Sequence, residues 1–278
     1  MPMLDNDWLL TQVRAGASPE SLIHTLEQAG WSPQVAMDAV ESSLREYLAS
    51  HAREHALPEP VRVPAPVASN GASGIRAGDR EVTVLMNLLH PRVVLFGGLL
   101  SDSECESLIE AGRARLRQST TLNEDTGLDE ANPARTSESA YFARGESSLI
   151  ASLEARIAQL LDWPIDHGEA LQVLRYGPGA QYEPHHDYFD VARPGTSATL
   201  ARGGQRVASL VMYLNTPECG GATVFPESRL EVGAVRGNAL FFSYDRPHPM
   251  TLSLHAGAPV IAGEKWVATK WLRLAPHR

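Results

Sequence analysis

A mainly β fold of sandwich or jelly-roll type, with flanking helices and a small N-terminal helical bundle, is the fold class this sequence predicts. Three patterns predict it. Between residues 168 and 275 many short apolar runs alternate with Gly and Pro turns, as in an antiparallel all-β core. Ahead of that region lie two stretches with helical apolar spacing. The first 56 residues carry repeated helix-start signals, and a Pro/Gly-rich segment separates them from the rest.

At the N-terminus, Leu9, Leu10 and Val13 share one helical face. After Gly16, Ser18-Pro19-Glu20 places a capping serine before a proline at the first helical position. Leu22, Ile23 and Leu26 follow at helical spacing, and Gly30 suits the stop. Trp31-Ser32-Pro33 repeats the device, with Val35, Ala36, Ala39, Val40 and Leu44 as a third apolar stripe. Residues 1–56 therefore read as a compact helical unit. Its spacing and the Gly30-Trp31 pair resemble ubiquitin-associated-type three-helix modules, which implies a protein partner; a helical cap or a dimerisation arm fits the same pattern. Residues 57–80, with Pro58, Pro60, Pro64, Pro66, Gly71 and Gly74, read as a linker.

A second domain is expected over residues 81–278. Val82, Val84 and Met86 alternate, and Val93 to Phe96 form an apolar run, so both segments read as strands. Ser101-Asp102-Ser103-Glu104 is a capping box that should open a helix through Leu108, Ile109 and Leu116. Residues 118–139 are polar and aperiodic and read as a mobile loop able to close over a bound substrate. A helix is expected from Glu146 through Leu153, Ile157 and Leu160. Strands then follow at Leu171–Tyr176, Val207–Leu214, Ala222–Phe225, Leu230–Val235, Ala239–Ser243, Leu252–His255 and Trp266–Leu274.

Composition narrows the function classes. The 278 residues carry a net charge of −9, which disfavours nonspecific binding to nucleic acid or to an anionic membrane. No apolar run approaches the roughly 18 residues of a membrane span. The opening MPMLDNDWLL has acids where a secretory signal has basic residues, so a cytoplasmic location is expected. Cys105 and Cys219 are far apart and belong to no CxxC pair, which gives neither a zinc site nor a disulfide framework.

The most informative stretch is Tyr182-Glu183-Pro184-His185-His186-Asp187-Tyr188-Phe189. On a strand, His185 and Asp187 point to one face and can converge on one ion. His186 is a rival ligand, but a strand would turn it the other way. His255, on a later strand, supplies the third ligand. Two histidines and one carboxylate on one face of an octahedron leave three positions free, two for a bidentate 2-oxo acid and one for O2, the ligand set of non-haem Fe(II) oxygenases. Zinc or manganese can occupy the same set. Lys265, ten residues after His255, is expected to return beside the His255 strand through a turn with Pro259 and Gly263. There it could pair with the far carboxylate of 2-oxoglutarate.

Several separated motifs then carry a family resemblance: Arg135-Thr136-Ser137, Glu169 to Tyr176, Tyr182 to Phe189, Gly204-Gln205-Arg206, Tyr213-Leu214-Asn215, Gly220 to Pro226, Gly237 to Phe242 and His255 to Trp271. In this order they resemble the prolyl 4-hydroxylase family of 2-oxoglutarate oxygenases, over residues 90–275. The resemblance implies a double-stranded β-helix, iron at His185, Asp187 and His255, and a 2-oxoglutarate clamp at Lys265 helped by the Tyr176 hydroxyl. It implies L-ascorbate as the agent that keeps Fe(2+) reduced. It also implies a substrate groove lined by Arg135, Ser137, Glu169, Tyr182, Arg206 and Trp271. The family's domain for collagen-like peptides is not visible here, which makes collagen a poor candidate substrate. The expected reaction is hydroxylation of a prolyl C–H bond in a peptide or protein, giving succinate and CO2. A free amino acid or small metabolite is the alternative substrate. In a further alternative, the chain is an interaction protein with a regulatory oxygenase-like domain.

Overall fold

The computed structural model describes residues 6–66 and 73–277. The chain divides into two compact units, Met1–Glu59 and Pro60–Arg278. In the first, helices α1 (Asn6–Arg14), α2 (Pro19–Gln28) and α3 (Pro33–Glu54) surround Leu9, Val13, Leu22, Leu26, Ala36 and Val40. The Ser18 and Ser32 hydroxyls accept the Ser21 and Val35 backbone N–H groups, as the cap signals require. Val35 itself is 52% exposed. The buried face of α3 runs through Ala36, Val40 and Ser43, and Val35 lies about 100° away from it.

The second unit contains strands β1 (Gly74–Ala77), β2 (Arg80–Leu88), β3 (Arg92–Gly97), β4 (Arg117–Gln118), β5 (Thr120–Leu122), β6 (Asp129–Ala131), β7 (Glu138–Phe142), β8 (Leu171–Tyr176) and β9 (Tyr182–His185). It continues with β10 (Arg206–Tyr213), β11 (Cys219–Gly220), β12 (Thr223–Phe225), β13 (Leu230–Val232), β14 (Ala239–Ser243), β15 (His255–Gly257), β16 (Val260–Ala262) and β17 (Lys265–Arg273). Helices α4 (Asp102–Arg113), α5 (Ser148–Leu161) and α6 (Ser197–Ala201) accompany them. The large antiparallel sheet has the order β1-β2-β3-β14-β10-β17-β8-β7-β4, and a smaller one β13-β12-β15-β9.

The central strands β3, β14, β10, β17 and β8 of the large sheet are buried on both faces, so they are largely apolar, whereas the edge strands β1, β2 and β4 are more exposed. Val173, Phe241, Trp266 and Ala268 pack with α4 and α5 residues such as Leu108, Leu153 and Ile157. Their neighbours Leu174, Phe242 and Val267 point the other way, onto Phe225, Val232 and Val260 near and within the small sheet. Two sheets closing on this second core make the jelly roll. The Ser101–Glu104 capping box forms in full, and the Glu104 carboxylate is also held by the buried Arg156.

Two segments differ from the sequence expectation. The stretch read as a linker is structured in part. The Val61 and Ala65 N–H groups bond to the Asp245 and Leu161 carbonyls, and β1 pairs with β2 at the sheet edge. Ile75 and Ala77 are buried there, an alternation too short to stand out among prolines and glycines. Residues 67–72 of that stretch lie outside the described residues. The stretch 118–139, read as a mobile loop, contains the β5–β6 hairpin and runs into β7. Its strands are three residues long and mostly polar, so no period develops.

Candidate metal centre and substrate cleft

The small sheet brings the two histidines together. β9 and β15 are neighbours, with His255 opposite His185, and their rings lie 4.3 Å apart. Asp187 was expected to share the strand of His185. Instead β9 ends at His185 and the chain bends at Asp187 and Tyr188. The carboxylate nevertheless turns back, with Oδ1 3.5 Å from His185 Nε2 and Oδ2 3.6 Å from His255 Nε2. The candidate ligand atoms lie within 4.8 Å of one another.

The histidine tautomers follow from their other contacts. His185 Nδ1 lies 2.8 Å from the Glu183 carbonyl and His255 Nδ1 3.0 Å from the Ser253 carbonyl. A carbonyl only accepts, so each Nδ1 carries the proton and each Nε2 lone pair faces Asp187. Burial lowers the pKa of His255 to about 4, reinforced by His185 and opposed by Asp187. Burial would raise the Asp187 carboxyl, but His255 and His185 hold it far below the usual range. At neutral pH His255 is therefore a neutral imidazole and Asp187 a carboxylate, the protonation states a divalent ion needs of those two ligands. His186 is absent from this cluster; its ring stacks on Tyr188 at 4.6 Å.

Lys265 reaches the same interior by another route than expected. The chain after His255 does not return beside it. It crosses to the large sheet, where Lys265 opens β17 opposite Tyr176 of β8. Lys265 and Tyr176 line one cavity with His185, Asp187 and His255. Lys265 is 4% exposed, and no carboxylate among the described residues pairs with it. Its Nζ lies 5.5 Å from the Tyr176 ring, and burial pushes its pKa down to about 8. A buried cation without a counter-ion is costly, and a bound carboxylate would remove that cost.

The other candidates fall mostly along a cleft of about 810 Å³. Arg135, Tyr182, Asp187 and Trp271 line both this cleft and the inner cavity. Tyr182 stacks on His185 at 3.6 Å, and the Arg135 guanidinium lies over the Tyr182 ring at 4.9 Å. Arg206 lies over the Trp271 ring at 4.1 Å and pairs with Glu169 at 2.7 Å. Arg273 adds a second bond to Glu169 at 2.8 Å. Burial would raise Glu169, but the two guanidiniums hold its carboxyl down at about 2. Ser137 does not line the cleft. It is 1% exposed, and its hydroxyl bonds to that of Ser119.

Two supporting groups were missed by the sequence reading. The Ser209 hydroxyl donates to Asp187 Oδ2 and lies 3.1 Å from the Tyr244 hydroxyl. The signal was an isolated serine inside the apolar run Val207-Ala208-Ser209-Leu210-Val211. The Gln205 carboxamide bonds to both the N–H and the carbonyl of Phe189, fixing the turn that follows Asp187.

Residues 171–273 match the model of the 2OG-Fe(II) oxygenase superfamily. The chain is 37% identical over 224 residues to probable prolyl 4-hydroxylase 3 of Arabidopsis thaliana, covering 73% of this chain and 76% of that protein. It is 38% identical over 202 residues to prolyl 4-hydroxylase 1 of the same plant, covering 66% and 69%. Among solved structures it is similar to the 2OG complex of the viral collagen prolyl hydroxylase of Paramecium bursaria Chlorella virus-1. There the TM-score is 0.50 and the identity 31%, over 65% of this chain and 95% of that one.

Proposed function

This chain belongs to the prolyl 4-hydroxylase family of Fe(II)- and 2-oxoglutarate-dependent oxygenases, and on that premise we propose that it hydroxylates a prolyl residue of a peptide or protein. One observation carries the substrate reading. The inner cavity and an open cleft share the walls Arg135, Tyr182, Asp187 and Trp271. A peptide lying in the cleft can thus present one side chain to the metal centre.

In this reading His185, Asp187 and His255 hold Fe(II), and Lys265 with the Tyr176 hydroxyl holds the far carboxylate of 2-oxoglutarate. With these and O2 bound, the centre supplies insertion of oxygen into a C–H bond, with release of succinate and CO2; ascorbate serves as reductant. The chain's own residues orient and enclose. Ser209 fixes the Asp187 carboxylate, and the backbone carbonyls of Glu183 and Ser253 fix the imidazoles. Tyr182 and Trp271 offer flat apolar walls to a pyrrolidine ring, each pinned by a guanidinium. On the far side of the cleft the Glu124 carboxylate accepts the Asp190 N–H, tying the β5–β6 hairpin to the turn after Asp187.

No helix among the described residues is long and apolar enough to cross a membrane. We place the activity in the cytoplasm, in keeping with two free cysteines. We read the helical unit of residues 1–59 as the part that recruits a protein partner.

The test is succinate formation with Fe(II), 2-oxoglutarate and ascorbate. Proline-containing peptides, collagen-like repeats among them, are compared with free proline. Stimulation by a peptide and formation of hydroxyproline in it are expected. Stimulation by free proline alone would move the assignment to the small-substrate alternative. Replacing Lys265 by alanine removes one charge-assisted hydrogen bond. It is expected to raise the KM for 2-oxoglutarate roughly 10- to 100-fold and to leave the KM for peptide in place. An unchanged 2-oxoglutarate requirement would refute the clamp.

A further inference from the structure

Lys265 stands where β17 has lost one of its two partners. β8 pairs with it on one side, through Tyr176. On the other side β10 ends at Tyr213, opposite Val267. The last main-chain bond there runs from the Leu214 N–H to the Trp266 carbonyl, at 2.9 Å. The Asn215 side chain continues where the strand stops. Its Nδ2 donates to the Glu264 carbonyl at 2.7 Å, and its Oδ1 accepts the Trp266 N–H at 2.6 Å. One carboxamide thus bonds to main-chain groups on both sides of Lys265, as a strand residue would.

The Lys265 ammonium lies 5.5 Å from the Tyr176 ring and 5.9 Å from the Tyr213 ring, contacts that leave its charge unpaired, so the placement of its backbone helps to set where it sits. No carboxylate among the described residues pairs with Lys265. Its stem runs past Gly221, where an added Cβ would lie 3.2 Å from Lys265 Cδ. The Glu264 carboxylate is engaged by the Arg175 guanidinium and by Trp266 Nε1, and gives Lys265 no anchor.

We infer that Asn215 is a positioning residue for the carboxylate clamp: by holding the first residues of β17 it sets where the Lys265 ammonium meets the far carboxylate of 2-oxoglutarate. The inference rests on the role proposed for Lys265 above. Asn215 touches neither the candidate metal ligands nor the cleft. Its effect should therefore be confined to the end of the cosubstrate that Lys265 binds.

The test is calorimetric binding to the full chain loaded with Mn(II) under argon, without turnover. The ligands are 2-oxoglutarate and 2-oxovalerate, which keeps the chelating end and lacks the far carboxylate. Asn215→Ala and Asn215→Ser leave local charge unchanged, and the serine variant serves should the alanine variant fold poorly. Each is expected to weaken 2-oxoglutarate binding about tenfold, the size of one or two lost hydrogen bonds, and to leave 2-oxovalerate binding as it was. In a Lys265→Ala background the same changes should add nothing. Equal weakening of both ligands, or additive losses in the double variant, would overturn the inference and leave Asn215 a sheet-supporting residue. If Lys265→Ala weakens 2-oxoglutarate and the Asn215 variants do not, the inference alone falls. If Lys265→Ala has no effect, the clamp and the inference fall together.

Discussion

Replacing Asp187 by alanine is expected to abolish Fe(II) binding and turnover together, while the fold survives. The two imidazoles would keep their tautomers, because the Glu183 and Ser253 carbonyls set them independently of Asp187. What disappears is the single negative charge of the cluster, 7% exposed and held ionised by both histidines. Loss of a supporting partner of a metal ligand costs roughly 10- to 100-fold in affinity, and loss of the charged ligand itself should exceed that. The Ser209 hydroxyl would retain the Tyr244 hydroxyl 3.1 Å away, so the buried site is not left with an orphaned donor. The melting temperature of the metal-free protein should then move by a few degrees at most, as about 1 kcal/mol does in a domain of this size. An Fe(II) titration followed by succinate assay checks both parts. Retention of iron affinity within tenfold of the parent would sink the proposed ligand set. A milder companion, Ser209→Ala, should keep the ligand and lose its orientation.

Much of this centre was legible in the chain because its chemistry is local. His185 and Asp187 are two residues apart, and that spacing brings the pair together even though the strand ends between them. The long-range parts divide differently. The sequence places His255 and Lys265 ten residues apart, but it does not say that they stand on different sheets. That depends on β16 pairing with β11, a two-residue partner with no apolar pattern of its own. The β5–β6 hairpin and the edge strand β1 were hidden for a related reason. Each involves short hairpin strands whose placement also depends on neighbours distant in sequence, and three or four residues are too few for a period to stand out. The apolar strands of the large sheet were the easiest to read, since burial on two faces leaves little room for polar residues. Ser137 shows the limit of transferring a residue's role by motif alone, because here its hydroxyl faces Ser119 rather than the cleft.

Removing the negative charge of Glu169 should be the most damaging single change outside the metal centre. Glu169 lies between Arg206 at 2.7 Å and Arg273 at 2.8 Å, and Arg273 is 1% exposed. In Glu169→Ala two guanidiniums would lose the carboxylate they share in a largely buried wall of the cleft, a loss of about 3 kcal/mol. Function should suffer on the cleft side alone. Arg206 holds the Trp271 ring at 4.1 Å and the Phe189 ring at 4.7 Å, so the KM for peptide should rise while that for 2-oxoglutarate stays near the parent value. The charge also carries a pH signature. Burial alone would raise the carboxyl, but the guanidiniums hold it down at about 2, below the ordinary 4.5. A carboxyl depressed on folding binds its proton more readily in the unfolded chain. Its contribution, roughly 3 kcal/mol by linkage, is therefore present above about pH 4.5 and is lost as the pH falls toward 2. Glu169→Gln keeps the shape and removes the charge. Urea unfolding of the parent and of this variant should differ most at pH 7, and the gap should narrow at pH 3 as protonation of the unfolded chain erodes the parent's advantage. A gap of equal size at both pH values would mean that packing, and not charge, is what Glu169 contributes.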